Sequence, residues 1–101
     1  MKVIDETLLD EFRRKTRCEW CKAAVPGCQP HHLYAKGMGG GSVLDVKVNL
    51  MGLCWKCHRD VHNGNIPRHA LIAVVSYREG RSPDEIEKEI FRLLKEPKPC
   101  T

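Results

Sequence analysis

Cys54-Trp55-Lys56-Cys57-His58-Arg59-Asp60-Val61-His62 sets two thiols and two imidazoles within nine residues, and this stretch decides how the rest of the chain is read. The same Cys-x-x-Cys spacing stands upstream at Cys18-Glu19-Trp20-Cys21. Two such pairs are the pattern of a closed, tetrahedral four-thiolate zinc site. Clamped on one ion, Cys18, Cys21, Cys54 and Cys57 hold the 32 residues between the pairs as one unit. Those residues include His31, His32 and Asn49, which a structural zinc does not need. His58 and His62 are four apart, so a helix carries both on one face, a common way to chelate a single ion. Adjacent His31 and His32 on an extended segment point to opposite sides, so one can bind metal while the other faces a substrate.

Other uses of the cysteines explain less. A redox Cys-x-x-Cys pair lacks its accompanying βαβ pattern. Cys54-Trp55-Lys56-Cys57-His58 also fits c-type haem attachment, but haem leaves Cys18 and Cys21 unexplained and normally goes with an exported chain. Cys28 and Cys100 fall outside the pairs, the first as a packing or incidental thiol and the second in a tail.

At 101 residues the chain is expected to be a single domain (1–101), with its core at about 18–64 and a helical appendage at about 66–96. A chain this short, with 6% aromatic residues, buries limited apolar surface, so a bound metal adds useful stability. A net charge of +4 suits a polyanionic partner without requiring one. The opening Met1-Lys2-Val3-Ile4-Asp5-Glu6 has no secretory pattern, and no stretch approaches the roughly 20 apolar residues of a membrane span. Six cysteines in such a chain point to thiolate ligands and a reducing, cytoplasmic compartment, with no membrane partner.

Local signals place the motifs. Asp5 to Arg17 reads as a helix, N-capped by Asp5, stapled by Ile4 and striped by Leu8, Leu9 and Phe12. Ala23 to Pro30 reads as loop, His31 to Tyr34 and Asn49 to Leu53 as short strands, and Gly37 to Ser42 as an irregular loop. Trp55 to Asn63 reads as a helix closed by Gly64. Pro67 to Glu79 is helical up to Gly80, and Ser82-Pro83-Asp84-Glu85 is a capping box that starts a last helix. That helix carries Ile86, Ile90, Leu93 and Leu94 on one face and stops at Pro97 and Pro99. The expected class is therefore α+β.

From Cys18 to Gly64 the chain resembles the HNH endonuclease family, the ββα-metal or His-Me finger nucleases, in the phage and bacterial type with two Cys-x-x-Cys knuckles. The resemblance rests on His31-His32, Asn49 seventeen residues on, His58 nine further, His62 four further, and the Gly37-Met38-Gly39-Gly40-Gly41 segment. It implies a small ββα-metal core with a four-Cys structural zinc and flanking N- and C-terminal helices. It implies His31 and His58 as ligands of a second, catalytic divalent ion, His32 as general base, and Asn49 as the residue that orients the base or braces the loop between the strands. His62 is either a third ligand or a phosphate contact. DNA is the implied partner, with phage packaging or restriction of foreign DNA as settings.

The residue types suit that chemistry on their own terms. Phosphodiester hydrolysis needs an activated water, charge stabilisation on phosphate and help for the leaving 3′ oxygen. A neutral imidazole can take the water proton near pH 7, and Asn49 can select its tautomer. One divalent cation (Mg2+, Mn2+, Ni2+ or Zn2+) can stabilise phosphate and leaving group. Lys36, Lys47, Lys56, Arg59 and Arg68 flank the site, with Lys56 and Arg59 best placed to meet DNA phosphates. Packing around the zinc is the expected role of Trp20 and Trp55. The competing reading is a zinc-stabilised nucleic-acid-binding module without catalysis, which leaves the order His31-His32, Asn49, His58 unexplained.

Overall fold

A computed structural model describes residues 2–34 and 43–95. The elements in chain order are β1 (Lys2–Val3), α1 (Glu6–Arg13), β2 (Gln29–His32), β3 (Val43–Leu44), a 3-10 turn (Lys47–Asn49), β4 (Leu50–Leu53), α2 (Trp55–His62), α3 (Arg68–Glu79) and α4 (Pro83–Lys95). The architecture is α+β. Lys36, the Gly-rich segment at 37–42 and the stops at Pro97 and Pro99 lie outside the described residues.

β2 and β4 form an antiparallel pair in the register Gln29↔Leu53, Pro30↔Gly52, His31↔Met51, His32↔Leu50. All four β4 residues are buried, because both faces of the pair are covered. Leu50 packs with Leu9 and Phe12 of α1 on one face. Met51 and Leu53 join Leu33, Leu71, Ile72, Val75, Ile86 and Ile90 in the main core on the other. Gly52 lies on the α1 side, where a Cβ would stand 3.0 Å from Lys15 Cδ and 3.1 Å from Cys28 Cβ. Glycine lets the chain pass there.

α1 starts where the sequence places it, with Asp5 Oδ1 accepting the Leu8 N–H at 3.0 Å. It ends at Arg13, four residues before the expected Arg17. The chain is needed elsewhere: Arg17 bridges Ala24, and the Val25 N–H donates to Thr16 O at 2.9 Å, which builds the base of the first cysteine turn. Ile4 remains 65% exposed, so the expected staple on α1 contributes little.

β2 begins two residues earlier than the sequence suggests, at Gln29, and Asn49 belongs to the 3-10 turn before β4. α2, α3 and α4 follow the sequence signals closely. Gly64 and Gly80 both adopt positive φ (80° and 68°) after α2 and α3, a backbone region that glycine enters without a Cβ clash. The Ser82–Glu85 capping box forms in both directions, at 2.9 and 3.2 Å. α4 buries Ile86 and Ile90, and its Phe91 meets Tyr34 edge-on at 4.9 Å between ring centres. No helix among the described residues is long and apolar enough to cross a membrane.

Candidate functional site

The two Cys-x-x-Cys turns meet. Cys18, Cys21, Cys54 and Cys57 offer sulfurs that all lie within 4.8 Å of one another, close enough to hold one metal ion and consistent with a structural zinc site. The first turn closes through Lys22 N–H to Cys18 O and Cys18 N–H to Ala23 O, both 3.0 Å, with Lys22 in the left-handed region at φ 67°. The second is the start of α2: Cys54 is the N-cap, and its Sγ accepts the Cys57 N–H. A helix N-terminus favours a thiolate by presenting free N–H groups.

The thiols are tuned against one another. Burial disfavours the Cys18 thiolate, but N–H donors from Cys21, Cys54 and Trp20 outweigh it and bring the thiol down to about 7. Burial pushes Cys57 up, reinforced by proton sharing with Cys54, Cys21 and Cys18. A dication reverses that upward push, since thiolate ligation expels the proton. Cys28 stays outside the cluster, buried and donating to Arg17 O at 3.4 Å, as its packing role requires.

One glutamate and one arginine stiffen this unit. Glu19, inside the first turn, accepts the Gly52 N–H at 2.7 Å. Arg78 of α3 donates to Glu19 at 2.8 Å, to Leu50 O at 2.9 Å and to Lys47 O at 2.6 Å. The knuckle, β4 and α3 are thereby joined through one guanidinium.

A second cluster forms between β2 and α2. His31, His58 and His62 each offer a ring nitrogen, all within 4.8 Å of one another. His31 reaches them from β2, with ring centres 5.3 Å from His58 and 5.7 Å from His62. His58 and His62 occupy successive turns of α2, their Nε2 atoms 3.2 Å apart. His58 Nδ1 donates to Gln29 Oε1 at 2.5 Å, which leaves Nε2 to face the cluster. Gln29 was not visible as a site residue in the sequence; its place two residues before His31, on the same side of the strand, is the only hint.

Burial, then the nearby His58 and His62, depress His31 to about 4. Burial and then His62 lower His58 as well. His31 and His58 are thereby favoured in the neutral form, whose free lone pair is the one that binds a dication.

His32 points the other way, as strand alternation demands. Its Nε2 donates to Asp45 Oδ1 at 2.6 Å. Asp45 is buried, and its second oxygen accepts the Asp5 N–H at 2.9 Å. Asp45 is a residue the sequence did not single out; it follows β3 and looks like an ordinary loop acid.

His32 still lines, with His31, His62, Leu33, Arg68 and Leu71, a cavity of about 390 Å³ open to one side. Arg68 is fixed in its wall by a 2.8 Å hydrogen bond to Leu33 O and by stacking 4.2 Å from the Tyr34 ring centre.

Asn49 is fully buried, at 0% exposure. Its Oδ1 accepts the Tyr34 N–H at 2.9 Å, and its Nδ2 donates to Tyr34 O at 3.1 Å and Leu44 O at 2.9 Å. Through these bonds it ties together the chain leaving β2 at Tyr34 and the chain of β3 at Leu44. The partner found for the His32 side chain is Asp45.

Lys56 and Arg59 are exposed on α2, and Arg59 stacks 4.7 Å from the Trp55 ring centre. Trp55 is 62% exposed, which corrects the expectation that it packs around the zinc; as first residue of α2 it faces away from the core. Trp20 does pack against the main core. Comparison with protein-family models, with curated proteins and with solved structures gives no match for this chain.

Proposed function

We propose that this chain is a metal-dependent endonuclease of the HNH type, hydrolysing DNA phosphodiester bonds from a ββα-metal core stiffened by a four-thiolate zinc. The observation that carries the reading is the presence of two different ligand sets that share α2. Four sulfurs form one cluster, and three imidazoles form another beside an open cavity. A closed thiolate shell serves structure, whereas three imidazoles leave coordination positions free.

His31, His58 and His62 would hold the second ion, which supplies charge stabilisation for the phosphate and the leaving 3′ oxygen when bound. This favours His62 as a ligand over a phosphate contact, because its Nε2 faces that of His58. His32 takes the proton of the attacking water at Nδ1, since Nε2 is engaged by Asp45. Asn49 ties the chain just after β2 to β3 through Tyr34 and Leu44. Arg68 supplies a fixed positive charge in the cavity wall for a phosphate, and Lys56 and Arg59 extend basic character along α2. The roles assigned to these groups are contacts to metal, water and phosphate, which carry no sequence information, so sequence preference is expected to be weak.

The test is plasmid cleavage by the zinc-loaded protein, with EDTA and then with Mg2+, Mn2+, Ni2+ or Zn2+ added back. Nicked or linear product that appears only with added metal is expected, and His32→Ala is expected to abolish it with metal content unchanged. Absence of metal-dependent cleavage of any nucleic acid, with binding retained, would leave the non-catalytic module as the correct description.

A further inference from the structure

We infer that Asp45 is the positioning residue of the cleavage site: it locks the His32 imidazole in the Nε2–H tautomer and so leaves Nδ1 as the nitrogen that takes a proton. The inference deepens the nuclease proposal and rests on it for its catalytic consequence, but the tautomer itself can be read without any cleavage.

The geometry is specific to these side chains. Asp45 Oδ1 stands 2.6 Å from His32 Nε2, a charge-assisted hydrogen-bond length. A carboxylate only accepts, so the proton must sit on Nε2 in a neutral imidazole. The carboxylate is itself immobilised, being buried and held at its other oxygen by the Asp5 N–H at 2.9 Å. Asp5 in turn caps α1. The N-terminal helix, packed on β4 through Leu9, Phe12 and Leu50, thus fixes the acid that orients the imidazole. His32 lies on that face of the strand pair, opposite Leu50 in the register, while His31 beside it turns to His58 and His62. Neighbouring imidazoles on one strand are in this way given separate work: one faces the ligand cluster, the other a carboxylate.

A purely structural role for Asp45, anchoring the chain before α1, predicts different outcomes, and Asp45→Asn separates the two. The amide oxygen can still accept the Asp5 N–H, which turns the NH2 group toward His32. A donor there requires an unprotonated Nε2 and moves the ring proton to Nδ1. The equivalent Asp-to-Asn change in the serine-protease triad keeps the geometry, selects the wrong tautomer and costs about 10⁴ in turnover.

The experiment is a long-range ¹H–¹⁵N ring spectrum of the zinc-loaded protein with ¹⁵N-labelled histidine, together with steady-state cleavage by the native chain, Asp45→Asn and Asp45→Glu. In the native chain His32 is expected to show a protonated Nε2 and a bare Nδ1, and in Asp45→Asn the reverse. kcat is expected to fall at least 100-fold in Asp45→Asn, with KM and metal content within about threefold, and Asp45→Glu to recover part of it. A bare Nε2 in the native chain, or an unchanged ring pattern in Asp45→Asn, overturns the assignment. So does cleavage by Asp45→Asn at the native rate. If the native chain cleaves nothing, the nuclease proposal falls and the ring spectrum alone decides on Asp45.

Discussion

Replacing Asn49 by alanine removes a buried amide that satisfies three main-chain groups at once. The Tyr34 N–H loses its acceptor at 2.9 Å, and Tyr34 O and Leu44 O lose donors at 3.1 and 2.9 Å. Water cannot replace them without opening the fold, because Asn49 is 0% exposed and Tyr34 and Leu44 are buried. An unpaired buried polar group costs roughly 1–3 kcal/mol. The N–H bears the full cost and the two carbonyls part of it, which sums to about 3–5 kcal/mol. Against a total stability of roughly 5–15 kcal/mol this is a large share. At roughly 4–8 °C per kcal/mol for a domain of this size, Tm falls by about 15 °C or more. Asn49→Asp should cost a similar amount, since it keeps the acceptor for Tyr34 but aims a carboxylate oxygen at two carbonyls. The assay is urea unfolding at fixed zinc concentration, with the midpoint shifting and the slope unchanged. An alanine variant within about 1 kcal/mol of the native protein would refute the claim that this amide braces the loop.

Three further outcomes are expected. Arg78→Lys should destabilise by about 1–3 kcal/mol in the same urea assay, because one ammonium cannot reproduce a planar fork that serves Glu19, Leu50 O and Lys47 O together. Native mass spectrometry during chelator titration should show one tightly held ion and one readily exchanged. Cys54→Ser should lose the first together with cooperative unfolding, and His58→Ala only the second. With the thiolate site loaded and the imidazole cluster metal-free, stability should fall as pH drops from about 6.5 toward 4. The fold holds His31 near 4, so the unfolded chain binds a proton over that range which the folded chain refuses. His31→Ala should flatten that slope of urea midpoint against pH, and an unchanged slope would assign it elsewhere.

The cysteine and histidine spacings marked which residues come together. Local backbone geometry sets the relative directions of the two sulfurs within each Cys-x-x-Cys pair and of the two imidazoles four apart on α2, but the two cysteine turns meet, and His31 joins His58 and His62, only through tertiary contact such as the β2–β4 pairing. Capping and glycine signals placed α2, α3 and α4 for the same local reason. What depends on distant partners was not legible. α1 stops early because Arg17 pairs with Ala24, and Trp55 stands exposed because the direction of α2 is set by the thiolate cluster and the core behind it. Asp45 and Gln29 have no spacing signature. They acquire meaning when chain pairing sets a carboxylate against His32 and an amide against His58. Asn49 was marked by its position, but its hydrogen-bond partners, two carbonyls and an N–H, are brought to it across the fold. Ligand identity is a property of residue type and local spacing; the state and aim of each ligand depend on hydrogen bonds that only tertiary contact creates.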